Sequence, residues 1–503
     1  MSRLTQTRYD TSDVVRVATG VLAYKSLPQT LLHSLHASVE GNPEGEAIVE
    51  IGGQRLSYLQ LWHQAARVAG GLREIGVKPG DRVGIRLGNG TRWCLAFFGC
   101  QMAGAIAVPI NARLAQAEVD YISADAGVAY VIDGSSALPD AQPFTYDSAD
   151  PEDVAAIFYT SGTTGSPKGA MTTHANFLAN NESLRRVLAI REPGQDRNLV
   201  SAPLFHVTGC NSQLLPTLAS QGTIVILPTF DVRSLLKTIE LERISQMVSV
   251  PAIYWYALNQ PDFDGFETSS VKSISYGGAP ITPALVAAIK RGFPNARVGN
   301  GFGLTETASC AAYLPDEYSE TRPETVGFPV PVAEVQIDSD SDAELGELLI
   351  RAQNVVRGYW RNDTATQAAF QDGWFRSGDI ARIDAQGFIQ IVDRKKDMIN
   401  RGGEKVYSIE VENAIAQHEA VLESAVVGVP DPMMGEKVGA VVVVSRRMDP
   451  QEIIAHLRGR LADYKIPEFV HIQDEPLRRN TNGKLVKSEL RSTTIWGPAL
   501  RSR

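Results

Sequence analysis

The sequence predicts an α/β fold with layered, largely parallel sheets, followed by a smaller unit of different texture. Short apolar strands alternate with amphipathic helices between residues 57 and 291, as expected when crossover helices connect parallel strands. After Glu347 the pattern changes to short strands separated by tight turns. A chain of 503 residues also exceeds the size at which one hydrophobic core keeps growing, so at least two domains are expected.

Local signals predict the elements of the first part. Ser57 and Gln60 form a capping-box pattern before apolar residues at helical spacing, and Gly76 ends that helix. The apolar stretch from Cys94 to Ile110 predicts a buried helix running into a strand, and it is too short and too rich in Gly and Ala for a membrane span. Further along, we expect a strand over 82–87, an acidic surface connection over 140–153, strands over 154–158, 223–227 and 247–250, and helices over 176–188, 232–242 and 283–291.

The last part of the chain predicts a second unit of roughly a hundred residues, which is large enough to fold alone. Strands are expected over 348–350, 380–383 and 388–392, the last two forming a hairpin. Beyond them we expect a helix over 409–417, strands over 425–429 and 439–444, and a helix over 451–464.

Composition excludes several classes of protein. The net charge of -9 argues against a nucleic-acid partner, for which a basic face would supply most of the affinity. The four cysteines lack CxxC spacing, which argues against a zinc site or a disulfide framework and favours a reducing cytoplasm. The largely polar segment from Met1 to Ser26 does not have the pattern of a signal peptide, so a cytoplasmic location is expected. The sequence leaves the oligomeric state undecided, with a homodimer as an open alternative.

The segment from Tyr159 to Gly169, YTSGTTGSPKG, is the strongest chemical signal in the chain. It combines three glycines, five Ser and Thr hydroxyls and Lys168, and an apolar predicted strand precedes it. Glycines let backbone N–H groups approach an anion closely, so this composition predicts a phosphate cradle. The loop is not a Walker A motif, because no Gly-Lys-Ser/Thr ending is present. A flexible Ser/Thr/Gly linker is the competing interpretation.

Six further motifs follow in order. They are PLFH at 203–206, YGGAP at 276–280, GFGLTET at 301–307, WFRSGD at 374–379, DRKKDMI at 393–399 with Gly402 and Gly403 beyond it, and NGK at 482–484. Together with the glycine-rich loop, these motifs resemble the signature of the acyl-adenylate-forming superfamily. That superfamily contains acyl-CoA synthetases, firefly luciferases and the adenylation domains of peptide synthetases. The resemblance extends from residue 159 to residue 484, and the part before residue 159 carries no such motif.

The resemblance implies a domain organisation. Residues 1–393 would form a large ATP- and acyl-binding domain of several subdomains, and residues 398–503 a small, mobile α+β domain. Residues 394–397 would form the hinge between them. The turning point would be Lys396, where a single residue could absorb the backbone rotation.

The resemblance also implies an ATP site. Attack on the α-phosphorus of ATP builds negative charge, which fixed donors and a metal must neutralise. Thr305 would contact the α-phosphate and Glu306 would hold Mg²⁺, a metal that suits one carboxylate plus phosphate oxygens. Phe302 would stack on adenine, while Asp379 and Arg394 would bind the ribose hydroxyls. The predicted ATP-binding residues are Thr160, Ser161, Gly162, Thr163, Thr164, Gly165, Lys168, Gly277, Gly278, Ala279, Pro280, Gly301, Phe302, Gly303, Asp379 and Arg394.

Two further groups belong to the predicted small domain. Lys484 resembles the lysine that stabilises both the substrate carboxylate and the pentavalent phosphorus, although Asn482 departs from the usual Ser/Thr of that motif. The predicted CoA-binding residues are Arg401, Gly402, Gly403 and Lys405. The glycines would flank the pantetheine path, where any side chain would block the thiol. Solvated surface charge is the alternative interpretation for the two cations.

The acyl pocket is expected to be aromatic and mostly apolar. Its predicted residues are His206, Val250, Tyr254, Trp255, Tyr276, Gly277 and Cys310. His206 resembles a histidine that lines or gates the pocket, and a core histidine satisfied by hydrogen bonds is the alternative. Arginine is absent from the sequence windows 250–256, 275–279 and 302–310, which disfavours a dicarboxylate substrate.

The function implied is an ATP-dependent carboxylic acid:CoA ligase that forms an acyl-adenylate and then an acyl-CoA thioester, with ATP, Mg²⁺ and CoA as its reactants and cofactor. The catalytic residues would be Lys484, Thr305, Glu306 and His206. The substrate would be a medium-chain fatty acid or an aromatic acid of the benzoate or cinnamate kind. One alternative is a ligase that loads a separate acyl-carrier protein, and another is an inactive nucleotide-binding protein.

Overall fold

The computed structural model describes residues 7–160, 166–190, 192–279, 281–339, 344–479 and 485–501. The helices, numbered in chain order, are α1 Leu31–Gly41, α2 Tyr58–Glu74, α3 Thr91–Met102, α4 Gln116–Ala126, α5 His174–Val187, α6 Leu215–Ala219, α7 Val232–Leu241, α8 Pro251–Leu258, α9 Pro283–Gly292, α10 Asp363–Ala369, α11 Ser408–Ile415, α12 Pro450–Leu457 and α13 Lys487–Thr493.

The strands are β1 Val14–Arg16, β2 Leu22–Tyr24, β3 Glu46–Glu50, β4 Arg55–Ser57, β5 Arg82–Arg86, β6 Ile106–Pro109, β7 Val128–Asp133, β8 Val154–Thr160, β9 Lys168–Thr173, β10 Arg197–Val200, β11 Thr223–Ile226, β12 Gln246–Ser249, β13 Ser273–Gly277, β14 Arg297–Leu304, β15 Ser309–Leu314, β16 Phe328–Pro329, β17 Ala333–Asp338, β18 Leu345–Ala352, β19 Phe370–Gln371, β20 Trp374–Ile383, β21 Ile389–Arg394, β22 Ile399–Arg401, β23 Glu404–Val406, β24 Val421–Asp431, β25 Gly435–Val444 and β26 Phe469–Gln473.

A nine-stranded sheet has the order β16-β15-β14-β13-β12-β10-β11-β3-β4. Its five central pairings, from β14 to β3, are parallel, and the pairings at both edges are antiparallel. The helices α7, α8 and α9 supply crossovers between these strands. Parallel strands bring their carboxyl ends to one edge of the sheet, so the residues that follow β12, β13 and β14 lie at the same edge.

A second sheet has the order β7-β5-β6-β8-β9 and is parallel except for the β8–β9 pair. The α/β class with largely parallel sheets is therefore confirmed. Helix α3 contributes the fully buried Trp93 and Phe97 to a large hydrophobic core. Helix α2 begins with the predicted Ser57–Gln60 capping box. The predicted apolar helix and strand over 94–110 are α3 and β6. In the described ranges of the chain, helices long and apolar enough to cross a membrane are absent.

The chain divides into two compact units. Unit 1 comprises Met1–Gln336, Leu349–Ser377 and Ile383–Gln390, and unit 2 comprises Ile337–Leu348, Gly378–Arg382 and Ile391–Arg503. In unit 2, a five-stranded sheet has the order β23-β22-β25-β24, with β26 beside β25. Its apolar face packs on α11 and α12 through a core that includes the fully buried Ile415 and Ile454.

One predicted helix is wrong in extent. The helix expected over 451–464 ends at Leu457, as α12. Gly459 follows with a φ of 78°, which lies in the left-handed region and cannot continue a right-handed helix. The other predicted helices and strands are present, most of them within a few residues of their expected ends, and the strand expected over 380–383 is the last part of the longer β20. The four cysteines are free and buried.

Candidate active site

The predicted phosphate loop joins two paired strands. Thr160 ends β8 and Lys168 begins β9, and the two residues are partners in the antiparallel register. The Lys168 ammonium lies 5.4 Å from the centroid of the Tyr359 ring, a distance compatible with a cation–π contact. Five predicted loop residues lie outside the described part of the chain: Ser161, Gly162, Thr163, Thr164 and Gly165.

The Tyr-Gly-Gly-Ala segment, residues 276–279, spans the carboxyl end of β13. A Cβ atom on Gly277 would lie 2.3 Å from the carbonyl oxygen of Gly301, so the close approach of β13 and β14 requires glycine here. Gly278 has a φ of 73°, and both Gly278 and Ala279 are exposed. The backbone of this turn is therefore open to a ligand. Pro280, which was also predicted to bind ATP, is outside the described residues.

The Gly-Phe-Gly-Leu-Thr-Glu motif ends β14 and leads into a short 3₁₀ turn. Phe302 is half-buried, and a ring that stacks on a base must have one face accessible to that base. A Cβ atom on Gly303 would lie 1.4 Å from the carbonyl oxygen of Ser309, which excludes every side chain at that position. Gly301 is half-buried and Thr305 is half-buried, so both can be reached from the carboxyl edge of the sheet.

Buried asparagines hold the turn after this motif. Ala308 and Ser309 have φ values of 46° and 119°, which L-residues rarely adopt. Asn211, from the π-helical turn Thr208–Leu214, donates to the carbonyl oxygen of Ala308 at 2.9 Å. Asn354 donates to the carbonyl oxygens of Thr307 and Cys310, at 2.6 Å and 2.8 Å. The surrounding hydrogen bonds therefore stabilise a strained turn immediately next to Glu306.

Glu306 is buried, with 9% of its surface exposed. Tyr359 donates its hydroxyl to Glu306 Oε1 at 2.8 Å, and the Glu306 carbonyl oxygen accepts from the N–H of Val356 at 2.9 Å. Within the described residues, Oε2 receives no protein hydrogen bond and clusters of three His, Cys, Asp or Glu side chains are absent. One oriented carboxylate without such a cluster fits Mg²⁺ held jointly with phosphate oxygens, because Mg²⁺ rarely occupies an all-protein cage.

His206 lies in the bend that precedes the π-helical turn. Its Nδ1 accepts from the backbone N–H of Thr208 at 3.2 Å. That bond assigns the proton of the neutral ring to Nε2. The ring is half-buried. The gating role of His206 stays a prediction.

The residues predicted for the acyl pocket do not share one surface. Val250 and Trp255 are 44% and 45% exposed, whereas Tyr254 is fully buried and donates its hydroxyl to the carbonyl oxygen of Ser275 at 2.8 Å. Successive residues of α8 point about 100° apart, so Tyr254 faces the sheet while Trp255 faces outward. Cys310 belongs to a hydrophobic cluster with Tyr313, Val330 and other residues. Tyr276 is also buried, with 1% exposed.

This arrangement differs from a cavity wall containing all of those side chains. The structure places Tyr254 and Cys310 in the packed interior of unit 1, and a side chain in such a position acts on a pocket only through its neighbours. Gly277 is half-buried beside the open turn at Gly278. The acyl-binding role of these residues stays a prediction.

In unit 2, Asp379 and Arg394 lie on the neighbouring strands β20 and β21. Arg394 Nε lies 2.8 Å from Asp379 Oδ1, and the Asp379 side chain is buried while that of Arg394 is partly exposed. The N–H of Lys395 donates to the carbonyl oxygen of Gly378 at 2.9 Å, which holds the two strand ends together. The structure therefore brings together the two residues that were predicted to bind ribose.

The predicted CoA residues form the β22–β23 hairpin. Arg401 and Glu404 are paired across Gly402 and Gly403, whose φ values of 59° and 96° are those of a two-residue hairpin turn. The turn itself therefore requires these glycines. Arg401 is paired with Glu468, its Nη2 lying 2.6 Å from Oε1, and both side chains are largely buried. This ion pair gives Arg401 a structural role, whereas Lys405 is exposed.

Two residues that contact the candidate site were not predicted from the sequence, and one predicted residue lies outside the part of the chain that the structure describes. Tyr359 and Asn354 contact the motif residues directly, and both lie in the segment between β18 and α10, which has two arginines but no glycine-rich run. The Gly358-Tyr359 pair could have marked a close backbone approach, but it is a weak signal. Lys484, the predicted catalytic lysine, is outside the described residues.

Comparison with known proteins identifies the family. The model of the AMP-binding enzyme family matches residues 35–143 and 133–360, and the model of the AMP-binding enzyme C-terminal domain matches residues 410–484. A feruloyl-CoA synthase from Amycolatopsis sp is 37% identical over 473 residues, covering 88% of this chain and 95% of that protein. The long-chain-fatty-acid–CoA ligase FadD13 of Mycobacterium tuberculosis is 32% identical over 472 residues, covering 87% of this chain and 93% of that protein.

Solved structures agree. The o-succinylbenzoate CoA synthetase of Bacillus subtilis, in complex with its acyl-adenylate intermediate, matches with a TM-score of 0.84 and 28% identity, covering 92% of this chain and 99% of that one. The same enzyme in complex with ATP and magnesium ion matches with a TM-score of 0.83 and 28% identity, covering 91% and 99% of the two chains. The family predicted from the motifs is confirmed: this chain belongs to the AMP-binding enzyme family.

Proposed function

We propose that the protein is an ATP-dependent acid:CoA ligase that forms an acyl-adenylate and then an acyl-CoA thioester. The observation that carries the proposal is the grouping of Lys168, Glu306 and Tyr359, in which a cation and an oriented carboxylate meet on one buried tyrosine. A cation for phosphate oxygens beside an acid for Mg²⁺ is what a nucleotide-activating site needs. The relatives named above, which are named as a CoA synthase, a CoA ligase and a CoA synthetase, support this reaction.

In the first half-reaction, a carboxylate oxygen of the substrate attacks the α-phosphorus, a new P–O bond forms, and pyrophosphate leaves. Thr160 donates a hydrogen bond to the β- and γ-phosphates, Lys168 neutralises part of their charge, and Thr305 donates to the α-phosphate. Glu306 would hold Mg²⁺, which would neutralise charge on the phosphate oxygens. The turn at Gly277 to Pro280 and the ring of Phe302 bind the adenine.

Asp379 and Lys484 both belong to unit 2. Asp379 accepts from the ribose hydroxyls, because a carboxylate offers two acceptor oxygens side by side. Lys484 stabilises the substrate carboxylate and the pentavalent phosphorus. In the second half-reaction the deprotonated CoA sulfur attacks the acyl carbon, a C–S bond forms, and AMP leaves.

The two half-reactions need different surroundings, so we assign residues 394–397 as a hinge between residues 1–393 and a mobile domain of residues 398–503. Thiol access past Gly402 and Gly403 would follow rotation at Lys396. The favoured substrates are aromatic acids of the cinnamate kind, as the name of the 37% identical relative suggests, with medium-chain fatty acids as the second class. We also propose a cytoplasmic location, and a homodimer as the assembly to test first.

The test measures pyrophosphate release over about twenty carboxylic acids, including ferulate, cinnamate, benzoate, octanoate and decanoate, each with and without CoA. We expect CoA-dependent turnover to be highest with an aromatic acid. Lys168→Ala should lower adenylation about a hundredfold, while Lys272→Ala, at an exposed lysine of the same unit, should not.

Each other outcome has a defined meaning. Preference for octanoate or decanoate would reassign the substrate class and leave the ligase intact. Adenylation without CoA-dependent turnover would favour transfer to a separate acyl-carrier protein. If no acid releases pyrophosphate, the result would favour a nucleotide-binding protein without ligase activity over the proposed ligase.

A further inference from the structure

Tyr359 is fixed by its backbone beside the strand that begins with Lys168. The N–H of Met171 donates to the carbonyl oxygen of Gly358 at 3.0 Å, and the N–H of Trp360 donates to that of Gly169 at 2.7 Å. The N–H of Tyr359 itself donates to Thr366 Oγ1 at 2.9 Å. The tyrosine is therefore held on both sides, and its side chain has a defined starting point.

The side chain of Tyr359 reaches both ionic groups of the site. Its hydroxyl donates to Glu306 Oε1 at 2.8 Å, and the centroid of its ring lies 5.4 Å from the Lys168 ammonium. Phe370 packs edge-on against the same ring, with centroids 5.9 Å apart. The residue is 8% exposed. A single buried side chain thus connects a cation on β9 with a carboxylate that follows β14.

The hydroxyl is a dependable donor. It lies 2.8 Å from Glu306 Oε1, and a carboxylate oxygen can only accept, so the phenol O–H is the donor of this hydrogen bond. A hydrogen bond to a charged acceptor is stronger than one between neutral groups, and it selects one orientation of the carboxylate.

We propose that Tyr359 is a positioning residue, which orients Glu306 for the magnesium–nucleotide complex and links that carboxylate to Lys168. This inference rests on the proposed function, because it assumes that Glu306 serves Mg²⁺. With Oε1 occupied by the tyrosine, Oε2 is the oxygen left for the metal. Without the hydroxyl, Glu306 would have to lose side-chain freedom when Mg²⁺·ATP binds.

The experiment compares Tyr359→Phe with Tyr58→Phe. Tyr58 is a matched control, because it is also buried and its hydroxyl donates to the carbonyl oxygen of Gly222 at 2.6 Å, within the same unit. Calorimetric titration gives the Kd for ATP twice, once with Mg²⁺ and once with EDTA. Turnover is not required for this measurement.

We expect Tyr359→Phe to weaken ATP binding in Mg²⁺ about tenfold and to leave the Kd in EDTA within about twofold, since a hydrogen bond to a charged group has about that effect. Tyr58→Phe should change neither Kd. Tyr359→Leu should also weaken binding in EDTA, because Lys168 loses the ring beneath its ammonium. If Tyr359→Phe does not fold, Glu306→Asp takes its place. The shorter side chain keeps the negative charge but moves it away from the Tyr359 hydroxyl, so ATP binding should weaken in Mg²⁺ and not in EDTA.

The outcomes separate this inference from the function on which it rests. If Tyr359→Phe raises the Kd for ATP equally in both buffers, or in neither, the positioning role is overturned. The proposal that the protein binds ATP would be unaffected. If the wild-type protein binds ATP equally in Mg²⁺ and EDTA, the metal role of Glu306 falls, and this inference falls with it. Absence of ATP binding in both buffers would overturn the proposed function itself.

Discussion

Asn354 donates its side-chain N–H to the carbonyl oxygen of Thr307 at 2.6 Å and, with the same nitrogen, to that of Cys310 at 2.8 Å. These two carbonyls flank the residues with positive φ, Ala308 and Ser309. Asn354 is fully buried. The strained turn beside the predicted magnesium ligand is therefore held by an asparagine that lies more than forty positions away in the sequence.

Asn354→Ala should lower the free energy of unfolding by about 2–4 kcal/mol, because two buried carbonyl oxygens lose their partner. It should also lower the adenylation rate at least about tenfold, because the turn relaxes away from the geometry that places Glu306. The matched control is Asn198→Ala, since Asn198 is also buried and donates to Thr217 Oγ1 at 3.1 Å. Urea unfolding and pyrophosphate exchange measure both effects. Equal adenylation rates in the two folded variants would contradict the assignment.

Asp379→Asn should raise the KM for ATP about tenfold with a smaller change in kcat, because an amide accepts hydrogen bonds from ribose with one oxygen where the carboxylate has two. Asp384→Asn is the control: its carboxylate also pairs with an arginine, Arg322, but was not predicted to bind ATP. Steady-state kinetics at saturating acid and CoA provide the comparison. An unchanged KM for ATP in Asp379→Asn would remove this residue from the ribose site.

Lys484→Ala should lower acyl-adenylate formation about 10²- to 10³-fold, the loss expected for one preorganised charged donor. Attack of CoA on supplied acyl-adenylate should continue near the wild-type rate. Arg478→Ala removes another cation from the same unit at a side chain that is 78% exposed, and it should affect neither step. Equal loss of both half-reactions in Lys484→Ala would show that the lysine acts differently.

Lys396→Pro should separate the two half-reactions. Lys396 is exposed in the turn after β21, where the N–H groups of Asp397 and Met398 donate to the carbonyl oxygen of Arg394. Proline would restrict φ to about −65° and so prevent rotation about the N–Cα bond of residue 396. Adenylation should stay within about tenfold of wild type, while thioester formation falls at least about a hundredfold. Lys396→Ala should preserve both, and a proline variant that forms thioester normally would place the hinge elsewhere.

His174 should make unit 1 sensitive to acid. Burial lowers the pKa of this residue to about 4, and its Nδ1 accepts from the N–H of Leu31. In the unfolded chain the ring would bind a proton near pH 6.5, so the unfolded state gains stability relative to the folded state as the pH falls from about 6.5 to about 4. The free energy of unfolding should drop by about 2 kcal/mol more in wild type than in His174→Gln between pH 7 and pH 5. Urea unfolding at both pH values measures this difference. An equal drop in the free energy of unfolding in the two proteins would contradict the prediction.

Features with a local cause could be predicted from the sequence. The capping box at Ser57 and Gln60 and the strand that ends at Thr160 were predicted within a few residues, because each depends on the hydrogen bonds and apolar spacing of neighbouring residues. The family and its reaction followed from seven ordered motifs. The helix expected over 451–464 was too long because its apolar spacing continues past Gly459, whose positive φ was not visible in that pattern.

The α/β class, the order of the elements and the residues predicted for the phosphate, metal and ribose groups could all be read from local patterns and motifs. Which side chains support those residues depends on tertiary packing. Tyr359 meets Glu306 across 53 positions, and Arg401 is paired with Glu468 across 67. Tyr254 is buried while its neighbour Trp255 is exposed. Such contacts depend on how separate elements pack, and periodicity along one segment carries no information about the partner that the fold will bring to it.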